Sequence, residues 1–401
     1  MWFLREACPR LRDLKGPGPL PLYNVSVILT QLRTPCVLID RGRMERNLDA
    51  MQSSAARRGL RLRPHAKTHK SIELAKRQIA GGAVGICCAK LGEAEVFADA
   101  GIADVRLPYP LNPVNAERVI DLLDRTRLSF IVDHMDVARG WSDVMRREGR
   151  EVDVLVKVDV GFHRCGIDPA QNDAAEFIAE VAGLPGLRFR GLLSHAGHAY
   201  GATTEEQLRS IAGEEARTLA SLADKLRARG VDVDEISVGA TPPIRFSIEQ
   251  AGITEIRPGN YIYFDRTQVA LGAATWDDCA LTVLARVVSK PADDRMVLDS
   301  GSKTLTNDLA RGCTPSPGYG AALQAISGVQ AADESLLIER LSEEHATVRA
   351  LHGSNALEPG DLVRIVPNHS CVVSNLVDSA WLMDGDEVIE RVEISARGRI
   401  T

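Results

Sequence analysis

Between residues 60 and 257, short apolar runs alternate with amphipathic stretches at a near-constant interval, and this alternation leaves few architectures open. Strands are predicted at Leu60–Ala66, Ala83–Ala89, Asp104–Tyr109, Leu128–Asp133, Val152–Asp159, Arg188–His195, Glu235–Gly239 and Thr254–Arg257. Helical patterns separate nearly all of them, at Ser71–Ile79, Gly92–Ala100, Pro113–Arg125, Met135–Glu148, Ala170–Ala182 and Thr204–Arg229. Several of the strands are almost continuously apolar, as expected when both faces are buried. Such units repeated over roughly 200 residues predict a parallel (β/α)8 TIM-type barrel. An open doubly wound sheet is the alternative, but the glycine-rich first turn it calls for is absent.

From about Cys279 the rhythm changes to short strands with turn residues between them: Leu281–Ser289, Met296–Asp299, Leu336–Leu341, Thr347–Leu351, Leu362–Val366, Trp381–Met383 and Glu387–Ile394. The predicted organisation is an extension over 1–33, loosely ordered, a barrel over 34–275 and a β-rich domain over 276–401. The strand Thr34–Asp40, followed by a helix over Arg41–Arg58, is surplus to the barrel and is expected to pair with the second domain.

Composition excludes several function classes. With 25% charged residues and a net charge of -6, acids and bases interspersed, no basic surface for nucleic acid stands out. No apolar run is long enough to span a bilayer. The cysteines are scattered, and Cys87-Cys88 lies within an apolar strand, so no disulfide framework is indicated and the cytoplasm is the expected compartment.

Barrel enzymes carry their chemistry at the carboxyl ends of strands. Here the first barrel strand ends in Arg63-Pro64-His65-Ala66-Lys67-Thr68-His69-Lys70. A lysine amine titrates near about 10.4 in water and is a poor nucleophile at neutral pH. A cationic neighbourhood lowers that value and favours Schiff-base formation at Lys67, although this octapeptide alone reads equally as a basic, solvated strand end. The loops after the last two strands, around Thr241 and Gly259-Asn260, offer small residues, a hydroxyl and free backbone N–H groups, the elements of a barrel phosphate site. A lysine and a phosphate cradle on one rim point to pyridoxal 5′-phosphate. In the second domain, His369 and Cys371 stand at i and i+2. On a strand they would share a face and ligate one divalent ion, zinc by donor type, with manganese or magnesium as alternatives. Two protein ligands would leave positions open, the arrangement of a catalytic site, whereas the pair alone reads equally as core burial.

These stretches resemble the fold-type III pyridoxal-phosphate enzymes of the alanine-racemase barrel superfamily, and within it the D-serine dehydratase and D-threonine aldolase group. The resemblance runs from about Thr34 to the carboxyl terminus. It is carried by PHAKTHK at 64–70, DxGxxRxG at 159–166, SHAGHAY at 194–200, SVGATP at 237–242, RPGNY at 257–261 and PNHSC at 367–371. It implies that Lys67 holds the cofactor and shuttles the α-proton, that Arg164 donates to the phenolic oxygen, and that His195 stacks on the ring. Tyr200, Thr241, Gly259 and Asn260 would surround the cofactor and its phosphate. For Arg164 the competing role is a salt bridge in the barrel mouth, for His195 a core histidine, for Gly259 a turn glycine. Leu193 departs from relatives that carry tyrosine there, and Cys371 stands where the aldolases of the group tend to have aspartate. His65, His69, His163 and His198 are assigned structural roles. The implied activity is elimination of water from a β-hydroxy-D-amino acid to a 2-oxo acid and ammonia, by a homodimer. Retro-aldol cleavage to glycine and an aldehyde is the nearest alternative, followed by racemisation and by a non-catalytic cofactor carrier.

Overall fold

The computed structural model describes residues 27–171, 173–314, 317–327 and 331–401; the greater part of the predicted amino-terminal extension lies outside them. Strand β1 (Cys36–Asp40) precedes eight barrel strands: β2 (Arg61–Leu62), β3 (Ile86–Cys87), β4 (Asp104–Pro110), β5 (Arg127–Val132), β6 (Val152–Lys157), β7 (Leu187–Leu193), β8 (Glu235–Val238) and β9 (Glu255–Ile256). They pair in parallel in the order β2-β9-β8-β7-β6-β5-β4-β3. The two ends of this sheet meet through Val84 N–H to Leu62 O (2.9 Å), Cys87 N–H to Pro64 O (2.7 Å) and a parallel bridge between His65 and Cys87. The cylinder is therefore closed, which excludes the open doubly wound sheet. Several strands are shorter than the apolar runs that predicted them, β2 and β3 most of all. Their residues beyond the pairing bend into the loops that carry the site.

β6 is buried at every position, as a strand between barrel interior and helical shell must be. The longest helix, Glu205–Arg227, starts with Thr204 accepting from the Gln207 N–H, carries Glu205 and Glu206 in its first turn, and ends with Lys225 and Arg227. Both ends thus match the helix dipole. Phe97, Phe130 and Trp141 are fully buried between strands and helices.

The barrel interior carries a buried ion network beside a small apolar cluster of Ile131, Leu155 and Leu193. Glu255, fully buried, accepts from Arg63 Nε (2.9 Å), Arg106 Nη1 (2.5 Å) and Ser237 Oγ (2.7 Å), while Arg106 Nη2 reaches Glu235 at 2.8 Å. Burial by itself would raise the Glu255 pKa, but the two guanidinium groups and the serine hydroxyl hold it down to about 2.

The second domain is built on β10 (Leu281–Ala292), β11 (Arg295–Leu298), β12 (Ala321–Ala322), β13 (Leu336–Leu341), β14 (Ala346–Ala350), β15 (Leu362–Val366), β16 (Ser379–Asp384) and β17 (Glu387–Glu393). Its main path runs β13-β14-β11-β10-β1-β16-β17, with β15 on β10 and β12 on β15. β1 therefore belongs to this sheet, antiparallel to β10 and parallel to β16. Among the described residues no helix is long and apolar enough to cross a membrane.

Replacing Glu255 by glutamine leaves two buried guanidinium groups without their shared anion, a change expected to cost about 3–5 kcal/mol. Urea denaturation at pH 7 checks this. A carboxylate with a depressed pKa contributes stability above its unfolded value that is lost as pH falls toward the folded value. Wild-type stability should therefore decline between about 4.5 and about 2, and Glu255→Gln should flatten that part of the profile.

Candidate active site

All nine residues singled out from the sequence, Lys67, Arg164, His195, Tyr200, Thr241, Gly259, Asn260, His369 and Cys371, line one cavity of about 300 Å³ at the carboxyl end of the barrel, where the second domain covers it.

Lys67 sits in a single 3-10 turn, Ala66–Thr68, directly after the strand, with the His65 ring capping the Lys67 N–H. Its amine is open to the cavity but surrounded by protein, and this enclosure lowers its pKa; Arg164 and Arg257 push the same way, while charge on Cys371 and Glu93 opposes. The neighbouring cations of the motif have separate tasks. Lys70, at φ 50°, donates to Asn375 Oδ1 (2.8 Å) and pairs with Glu93 (3.2 Å), and its carbonyl accepts from the Ala396 N–H (2.8 Å). It ties the lysine turn to the second domain. His69 is buried against Gln78 (3.1 Å).

The loop after β6 is shaped by Asp159, whose Oδ1 accepts from the N–H groups of Gly161, Phe162 and His163, all at 3.0 Å. It presents Arg164, which stacks over the Phe162 ring at 5.1 Å and makes no ion pair among the described residues, so the salt-bridge role is not observed. His195 donates from Nδ1 to Gly239 O at 2.7 Å, which leaves Nε2 free, and its ring meets Phe162 edge-on at 5.7 Å. Burial, then Lys67, depress its pKa well below the usual imidazole value, so the ring is neutral. Gly259 is no turn glycine: its φ of -117° suits any residue. Close packing requires it, because a Cβ there would come within 2.8 Å of Thr68 Oγ1 and 3.2 Å of His65. The Asn260 amide faces the second domain, donating to Asp265 Oδ2 (2.6 Å), Ser370 Oγ (3.1 Å) and Cys371 Sγ (3.5 Å), while its backbone N–H is taken by Thr241 Oγ1 (3.1 Å).

His369 and Cys371 do not lie on a strand. His369 caps the helix Ser370–Leu376 and Cys371 is its second residue, so strand alternation is not what brings them together. They converge because extended His369 (φ -145°) turns directly into the helix, which sets the imidazole near enough to the thiol for each to shift the other's pKa. Burial raises the thiol pKa, but His369 and Thr68 reverse this and favour the thiolate; burial likewise opposes the imidazolium, which Cys371, Asp265 and Asp308 stabilise. Cys371 Sγ and Thr68 Oγ1 are hydrogen-bonded at 3.3 Å, so the residue after Lys67 touches the pair directly. An imidazole beside a thiol whose pKa is lowered suits a divalent ion that displaces the thiol proton, and the cavity leaves room for further ligands. Among the described residues no three histidine, cysteine or acidic side chains form a ligand set. The donor set fits an ion held by two side chains.

Other side chains join the nine at the cavity, and of these Lys157 and Asp308 lie in no sequence motif. Lys157 is a second buried lysine on the wall, its pKa pushed down to about 7 by burial and by Arg257. Arg257 is held by Ser237 Oγ at 2.8 Å. Asp308 bonds His369 Nδ1 at 2.5 Å from an irregular stretch whose sequence carries no periodicity. Leu193 is on the wall as well.

A closed parallel barrel with a lysine turn after its first strand, roofed by a β domain that brings a histidine–cysteine pair to that turn, defines a fold-type III lyase. Comparison with known proteins makes the assignment specific. Residues 39–267 match the alanine racemase N-terminal domain and residues 280–383 a serine dehydratase domain. The chain is 36% identical over 380 residues to a D-threonine aldolase from Arthrobacter sp, covering 92% of this chain and 94% of that one. It is 30% identical to a D-serine dehydratase from Dictyostelium discoideum, covering 90% and 96%. The solved D-threo-3-hydroxyaspartate dehydratase from Delftia sp. HT23 superimposes with a TM-score of 0.85 at 30% identity, covering 91% and 98%. A solved D-threo-3-hydroxyaspartate dehydratase variant with a cysteine replaced, in the metal-free form, gives 0.86 at 29% identity, covering 92% and 98%. The chain belongs to this D-serine dehydratase and D-threonine aldolase family of D-amino-acid lyases.

Replacing Gly259 by alanine should displace Thr68 and the lysine turn without unfolding the barrel. Affinity for pyridoxal phosphate is expected to fall about tenfold or more, some 1.4 kcal/mol, in a fluorescence titration, with an unchanged far-UV circular dichroism spectrum.

Proposed function

We propose that the protein is a pyridoxal-phosphate- and metal-dependent lyase that removes water from a β-hydroxy-D-amino acid. The observation that carries this reading is the Thr68–Cys371 contact, which sets the lysine turn of the barrel against the histidine–cysteine pair of the second domain in one cavity. When bound, the cofactor supplies an electron sink for the charge developing at Cα, and a divalent ion supplies Lewis acidity toward the β-hydroxyl. The chain's own residues do the rest. Lys67, its pKa lowered by enclosure, is the cofactor's attachment point and then the base that takes the α-proton. Arg164, without a carboxylate partner among the described residues, would meet the phenolic oxygen, and neutral His195 would be the ring's stacking partner. Thr241, Gly259, Asn260 and Tyr200, all on the cavity wall, would surround the cofactor and its phosphate. His369 and Cys371 would hold the ion. After water is lost, the released enamine takes up water to give a 2-oxo acid and ammonia.

Two solved D-threo-3-hydroxyaspartate dehydratase variants replace a histidine and a cysteine two positions apart, the spacing of His369 and Cys371, and this supports elimination. The 36% identity to a D-threonine aldolase favours the second reading, cleavage of Cα–Cβ to glycine and an aldehyde. D-serine, D-threo-3-hydroxyaspartate, D-threonine and D-phenylserine, assayed for 2-oxo acid, glycine and aldehyde in deuterated water, separate the two. Elimination is expected to give a 2-oxo acid with deuterium entering Cα of unreacted substrate; glycine plus aldehyde without that exchange assigns the aldolase reaction.

Borohydride should fix the cofactor to the peptide containing Lys67. Recovery of the label on Lys157, the other lysine in the cavity, would overturn the assignment, and Lys67→Ala should abolish labelling. Chelation should remove turnover while leaving the visible absorbance of the lysine-bound cofactor, and added zinc should restore activity.

A further inference from the structure

We infer that Asp308 is the positioning residue that orients His369 toward the metal ion; this rests on the metal reading above. Asp308 Oδ2 lies 2.5 Å from His369 Nδ1. A carboxylate accepts only, so Nδ1 carries the proton, and the lone pair left for a metal is that of Nε2. Metal-bound histidines commonly donate their other ring N–H to a carboxylate, which fixes tautomer and ring angle and raises ligand basicity.

The placement of Asp308 is itself constrained from several sides. The residue before His369, Asn368, is buried and donates its amide to Asp308 O (2.9 Å) and to Gly318 O (2.8 Å). Thr267 Oγ1 in turn donates to Asn368 O at 2.8 Å. Asp308 is thus tied to this segment twice, through its carboxylate to His369 and through its carbonyl to Asn368. The Asp308 N–H donates to Thr306 Oγ1 at 3.2 Å, and buried Thr306 stands at φ 66°, ψ 156°, a conformation that side-chain-bearing residues rarely hold. The chain keeps that strained residue two positions before the carboxylate, and the turn it makes sends Asp308 into the cavity. Asp308 does not complete a ligand set with His369 and Cys371, in keeping with a role behind the histidine.

The test uses the full-length protein and zinc, with the dissociation constant read by competition against a chromophoric chelator. Asp308→Asn is expected to raise the zinc dissociation constant about 10- to 100-fold. The melting temperature of the metal-free protein should stay the same, and turnover at saturating zinc should largely recover. Cobalt-loaded Asp308→Asn should also show altered d–d absorption. Unchanged zinc affinity in both Asp308→Asn and Asp308→Ala would overturn the inference. So would a loss of zinc as complete as that of His369→Ala, because Asp308 would then be a ligand. Zinc binding to wild type that His369→Ala leaves untouched would instead overturn the metal reading, and this inference with it.

Discussion

Glu255 holds the barrel closed. It stands on the last barrel strand and accepts from Arg63 at the end of the first, from Arg106 on β4 and from Ser237 on β8, so one carboxylate joins four staves across the interior. The backbone seam nearby is slight: β2 and β9 pair over two residues each, and the join to β3 is a single bridge with two flanking hydrogen bonds. In a water-excluded interior such a network is costly unless its charges are paired, and here Glu255 is paired with both Arg63 and Arg106. Lys67 follows Arg63 by four residues, so the geometry of the seam is also the geometry of the site.

A charged interior leaves the cavity cationic. Lys67, Lys157, Arg164 and Arg257 all border it, and their mutual repulsion adds to burial in depressing the lysine and histidine pKa values. This is the environment a phosphorylated, carboxylate-bearing ligand neutralises, and it makes the amines nucleophilic before any ligand arrives. Of the two lysines, Lys67 is on a turn beside the histidine–cysteine pair, whereas Lys157 ends a strand buried on both faces.

The second domain completes the site rather than decorating it. Its own sheet incorporates β1 from the front of the chain, and Lys70 bonds both Glu93 of the barrel and Asn375 beyond the metal pair. With Thr68 on Cys371 and Asn260 on Ser370, the two domains share hydrogen bonds on both sides of the cavity. Small displacements between them would move the histidine–cysteine pair relative to Lys67.

Much of the barrel is legible in the chain because strand and helix periods differ and both are local: the apolar runs and amphipathic stretches sit close to the observed elements. The site motifs are legible for a related reason, since strand ends in a barrel converge whatever the intervening helices do. Strand alternation misplaces the His369–Cys371 pair, because nothing local in Pro367-Asn368-His369-Ser370-Cys371 says that a helix begins there, and its cap is made by the fold. Gly259 looks like a turn glycine until the Thr68 hydroxyl is seen pressed against it. Glu255, Lys157 and Asp308 have no flanking pattern at all. Glu255 and Asp308 find partners 18 to 192 residues away, and contacts at such separation exist only after the barrel has closed and the second domain has packed on it. Periodicity and strand-end chemistry, being properties of neighbours, were settled by the sequence; the closing ion network, the geometry of the histidine–cysteine pair and the carboxylate behind it were decided by tertiary packing alone.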